Sequence, residues 1–239
     1  SLTLSKCLPI IAPNSTVRDE LRGLLGWMAA LGTKPIAQTA IELDPYAVLA
    51  NGDPSQLDDS SKLLLIKRLK EIEAKDPYFR RGDYWRRFSV SGFFTNSVVK
   101  EIEPLLDSEA DGHLRDLIIE LLIDSPAVDL LENKLYSLVL AKDERENSRL
   151  LAGRCLLKIR RLNHCSVLNS LNSLADRISL NIAAFIIESL GPETVEVQHL
   201  LNFFRACADL YPCRSEASIR TTGSRYFVKR LIAKLNLDS

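Results

Sequence analysis

Histidine, the usual general base and metal ligand, is scarce in this chain. Only His113, His164 and His199 occur among 239 residues, none with a second ligand at helical spacing, and His164-Cys165 is a lone neighbouring pair. No HExxH, CxxC or DxDxDG pattern is found, so no metal site is expected. GxSxG and glycine-rich turns are absent too, which removes the common nucleophile elbow and phosphate cradle. Gly32-Thr33-Lys34-Pro35 comes nearest to a phosphate loop, but Trp27 stands where the first glycine belongs and no strand precedes it. Gly32 reads instead as a helix C-cap. Paired acids such as Asp58-Asp59 and Glu71/Glu73 fall where caps and solvated helix faces belong. No catalytic residue, cofactor or metal is therefore assigned, and the chain alone is expected not to be an enzyme.

Other scarcities bound the setting. No apolar run reaches the ~18 residues of a spanning helix, and the apolar part of the first residues is short and interrupted by Pro9, unlike a signal peptide. Lysine plus arginine equals aspartate plus glutamate at 31 each, so no global field draws the chain to nucleic acid or membrane. Five cysteines without framework spacing fit a reducing cytoplasm. Cys155 and Cys207 lie inside apolar helical patterns, where free cysteine behaves as a small hydrophobe. The chain begins Ser1-Leu2 without methionine and reads as a piece of a longer protein with a tag remnant.

What is abundant is the helical period. Ser15–Leu31 places Val17, Leu21, Leu24, Leu25 and Met28 on one stripe, with Ser15 or Thr16 as N-cap. Asp44-Pro45 opens a helix that stops at Asn51-Gly52. A helix from Ser60 to Ala74 has Asp58 and Asp59 at its positive end and lysines along its solvent side. Pro104 is expected to kink or restart the helix that contains it.

From Leu105 onward one pattern recurs. Residues 114–123, 148–159 and 179–191 read as three versions of one helix, aligned on Arg115, Arg149 and Leu180 at offsets of 34 and 31 residues. Ile118, Ala152 and Ala183 follow, then Leu122, Leu156 and Ile187. Second helices fall at Leu130–Leu140, Ser166–Asp176 and Val195–Leu210, and a closing cap at Ser224–Leu235. Units of about 30–40 residues with two antiparallel helices indicate an α-solenoid. The expected fold is all-α: an N-terminal helical region over 1–104 with a long 76–95 connection, then repeats and a capping helix over 105–239.

Three basic clusters stand out. Arg80, Arg81, Arg86 and Arg87 surround Tyr84 and Trp85; Arg149, Arg154, Lys158, Arg160 and Arg161 partly share a helical face; Arg214, Arg220, Arg225, Lys229, Arg230 and Lys234 lie near the end. Guanidinium forks bind phosphate and aromatic rings stack on bases, yet zero net charge argues against nucleic acid. The competing reading has Tyr84, Trp85 and Phe88 packing a connection onto the helices while the arginines snorkel. Arg80, Arg81, Tyr84, Trp85, Arg86 and Arg87 are the candidate ligand or partner contacts, since aromatics and arginine dominate binding hot spots.

The segment Leu21–Leu106 resembles the helical region downstream of the ATPase in bacterial NACHT/STAND-type NTPases. The matching positions are Trp27–Leu31, Asp44-Pro45, Leu49, Gly52-Asp53, Leu57 and Leu63–Leu69. Residues 114–122 and 148–159 are similar to degenerate HEAT repeats, from which Leu180 departs where the other units carry arginine. The resemblance implies a right-handed superhelical stack of HEAT-like helix pairs. It further implies a sensor or scaffold arm, cytoplasmic, that binds a protein or other ligand or its own upstream NTPase domain, with no catalytic residue carried over. Two alternatives stay open. One is a HEAT-like DNA-binding protein or alkyl-base DNA glycosylase, onto which Asp83 and Trp85 map only by analogy. The other is a structural adaptor that only joins domains.

Overall fold

The computed structural model describes residues 4–80, 82, 88, 90, 92–107, 112–211 and 226–235. Among the described residues there are thirteen α-helices, a few short 3-10 turns and no strand, so the chain is all-helical. None of these helices is long and apolar enough to cross a membrane. The chain divides into two compact units, Ser1–Leu131 and Glu132–Ser239.

The first unit holds α1 (Leu4–Ile11), α2 (Arg22–Leu31), α3 (Lys34–Leu43), α4 (Pro45–Asn51), α5 (Asp59–Lys75), α6 (Asn96–Leu106) and α7 (His113–Leu122). Helix α4 starts as its sequence dictates: Asp44 accepts from the Ala47 amide at 2.8 Å, with Pro45 at the first helical position. The same carboxylate accepts from Arg22 Nε on α2 at 3.0 Å. Helices α2 and α4 approach through glycine, because a Cβ on Gly26 would stand 2.6 Å from Gly52 N and 2.8 Å from Asn51 C.

Helix α5 is the long element of this unit. Its N-cap is Asp58, which accepts from the Ser61 amide at 3.0 Å. Hydrogen bonds from the Ser60 hydroxyl and the Ser61 amide hold the Asp58 carboxyl at about 2. Leu65, Ile66 and Leu69 are fully buried, and each such side chain contributes roughly 1.5–3 kcal/mol. The expected row of solvated lysines has an exception: Lys62 is buried and donates to the Gly92 carbonyl at 3.0 Å, pinning the segment before α6. Helix α6 runs unbroken through Pro104, which sits in its last turn, where one missing backbone donor costs little.

Two details of α2 differ from expectation. It begins at Arg22 after a 3-10 turn at Asp19–Leu21, and its N-cap is Leu21 without a side-chain cap, so neither Ser15 nor Thr16 caps it. Leu24 faces solvent, while Leu25, Gly26 and Ala29 are buried. The glycine contact rotates the buried face toward Gly26.

The second unit holds α8 (Glu132–Leu140), α9 (Glu146–Leu156), α10 (His164–Leu174), α11 (Arg177–Leu190), α12 (Val197–Leu210) and α13 (Tyr226–Leu235). Helix α11 is its core: Leu180, Ile182, Ala183, Ala184, Ile186 and Ile187 are all buried, the pattern of a helix surrounded by protein. Gly153 on α9 lets that helix come close, since its Cβ would lie 3.2 Å from Ile182 Cγ2. Helix α13 docks on α11 through Phe227 and Leu231, and Arg230 Nε and Lys234 Nζ reach Glu188 at 2.6 and 3.3 Å. The positions aligned in the sequence, Ile118, Ala152, Ala183, Leu122, Leu156 and Ile187, are all buried within their own units.

The glycine crossing yields a paired prediction. Gly26→Ala forces backbone apart and is expected to cost about 1–3 kcal/mol. Gly23→Ala, on the same helix but with nothing within 4 Å of the new Cβ, is expected to stabilise by about 0.5 kcal/mol. Urea unfolding of both variants decides it; equal effects contradict the close approach.

Candidate functional site

Of the six candidate contacts read from the sequence, Arg80 alone falls among the described residues; Arg81, Tyr84, Trp85, Arg86 and Arg87 lie outside them. Arg80 is only 1% exposed, and both of its η nitrogens donate to Glu120 Oε2 on α7 at 3.1 Å. Its guanidinium is thus engaged inside the fold. Phe88 packs edge-on to Tyr46, with ring centroids 6.4 Å apart.

The second basic cluster is dispersed. Arg149 is fully buried: its Nε donates to the Val139 carbonyl at 2.9 Å, its Nη2 to Ser179 Oγ at 2.6 Å, and its Nη1 stands 3.6 Å from Asp176 Oδ1. Arg154 lies over the Phe185 ring at 5.5 Å, and Arg161 pairs with Glu132 at 3.3 Å. In the third cluster Arg214, Arg220 and Arg225 lie outside the described residues. Arg230 and Lys234 are held by Glu188, and Lys229 is exposed. Cys155 and Cys207 are buried, and burial pushes the Cys207 thiol up to about 12, as befits small hydrophobes.

An open cleft lies between α10 and α12, in a space of about 470 Å³. Helix α10 is started by Asn163, which accepts from the Cys165 and Ser166 amides at 3.1 and 3.3 Å. It ends at Ala175 in the left-handed conformation, φ 52°. Its apolar residues Val167, Leu168 and Leu171 are buried in the unit, leaving Asn169, Asn172 and Ser173 to line the cleft. Helix α12 buries Phe203 and Cys207 and contributes Asn202, Arg205 and Asp209, spaced three and four apart. Ala175 and Ala206 keep the space open.

The hydrogen bonding of this cleft is half complete. His199 Nδ1 donates to Asn169 Oδ1 at 2.8 Å, and Gln198 Nε2 donates to Asn202 Oδ1 at 2.9 Å. Both carboxamide oxygens are thereby engaged, while no protein acceptor among the described residues takes the Nδ2 protons of Asn169 or Asn202. Asn172 is 9% exposed, and neither its Nδ2 nor its Oδ1 has a partner. Leaving a buried polar group unsatisfied costs about 1–3 kcal/mol. Arg205 and Asp209 are exposed and form no ion pair among the described residues. The cleft thus presents the amide groups of Asn169 and Asn202 and one charge of each sign, while both polar atoms of Asn172 are buried out of reach of solvent. Among the described residues no group of three His, Cys, Asp or Glu side chains could hold a metal ion.

None of the cleft residues was singled out from the sequence. The available signal was the doubled Asn-Ser-Leu at 169–174, which puts polar residues on consecutive turns of one helix face. Compared with protein-family models, curated proteins and solved structures, the chain matches none.

Asp176 supplies a pH test of the Arg149 cluster. Burial works to raise its pKa, but the Ser179 hydroxyl and amide and the Arg149 charge outweigh it and hold the group below its ordinary value. The unfolded value is about 3.9, so the contribution of Asp176 is fully present above that pH and is lost as pH falls through the lower folded value. Acid unfolding followed by circular dichroism is expected to steepen below about pH 4. Asp176→Asn should start from lower stability and show a shallower acid limb. An unchanged limb would rule out this linkage.

Proposed function

We propose that the chain is a non-catalytic α-helical binding module, a HEAT-like solenoid forming the sensor or scaffold arm of a larger bacterial NACHT/STAND-type NTPase. The observation that carries this reading is the outer face of α2. Leu24, Trp27 and Leu31 are 51%, 50% and 76% exposed and are spaced three and four apart along one line of the helix. An exposed line of large apolar side chains marks an interaction face, and tryptophan is enriched among the residues that dominate binding. Trp27–Leu31 is also the first matching segment in the resemblance to the region that follows the ATPase core. The natural occupant of this face is therefore the NTPase domain of the same protein. Arg80, bound to Glu120, acts in this reading as an anchor for its connection.

The test combines binding and turnover. Leu24→Ser, Trp27→Ser and Leu31→Ser together are expected to leave the fold within about 0.5 kcal/mol per site. The same change is expected to weaken association with the separately expressed NTPase domain at least about thirtyfold. Nucleotide hydrolysis by the isolated chain, or association untouched by the triple change, would overturn the proposal.

A further inference from the structure

We draw no further inference here: the strongest candidate, the surface patch that Val197 and Leu201 form on the outer side of α12, exposed by 69% and 44%, carries nothing because nothing in the structure shows what covers it.

Discussion

A buried arginine must have both its charge and its donors met, and in the second unit that demand is placed on three helices at once. Arg149 projects from α9, takes the Val139 carbonyl at the end of α8, and reaches Asp176 and Ser179 at the start of α11. Asp176 is also the N-cap of α11, accepting the Ser179 amide at 2.9 Å. One carboxylate thus begins a helix and neutralises a cation, so the start of α11 cannot shift without unseating Arg149. Burial pushes the Arg149 pKa down while Asp176 pulls it up, and the guanidinium stays charged in either case. A cation enclosed in this way does little for net stability compared with an apolar replacement. What it confers here is a fixed register between α8, α9 and α11.

That register explains why the cleft has walls at all. Helices α10 and α11 are joined by Ala175 and Asp176 alone, so fixing Asp176 fixes the end of α10, and Tyr136 on α8 meets Ser170 on α10 at 2.9 Å. Asn169, Asn172 and Ser173 are therefore presented from a helix held at both its middle and its end. Helix α12 buries only Phe203 and Cys207, and it faces the cleft with Asn202, Arg205, Ala206 and Asp209.

Much of the helical plan was legible in the sequence, because it rests on periodicity and on cap residues that act locally. Asp44-Pro45, Asp58 and the buried series through Ala152 and Ala183 lie where the pattern places them. What escaped the pattern depends on distant partners. Leu24 belonged to an apolar stripe by spacing, yet the contact between Gly26 and Gly52, 26 residues apart, turned it outward. Lys62 looked like any solvated lysine until the Gly92 carbonyl arrived to meet it. Arg80 stood in a conspicuous run of arginines, and its acceptor Glu120 lies 40 residues further along. The cleft was hidden for a different reason: asparagines on a helix face ordinarily signify solvent, and only the juxtaposition of α10 with α12 turns them into a lining.

Helix α7 lacks a side-chain cap of its own, since Gly112 precedes it; the Leu114 amide is instead accepted by Glu73 Oε1 at 2.7 Å, from a residue on α5 41 positions earlier. The space for that carboxylate exists because Gly112 has no Cβ, which would lie 2.0 Å from the same oxygen. The first turn of α7 is therefore tied to α5 by a side chain far from it in the chain. A chain synthesised from its N-terminus presents α5 before α7, so the acceptor is waiting when the donor emerges. Helix α7 therefore gains its cap only where α5 is packed beside it.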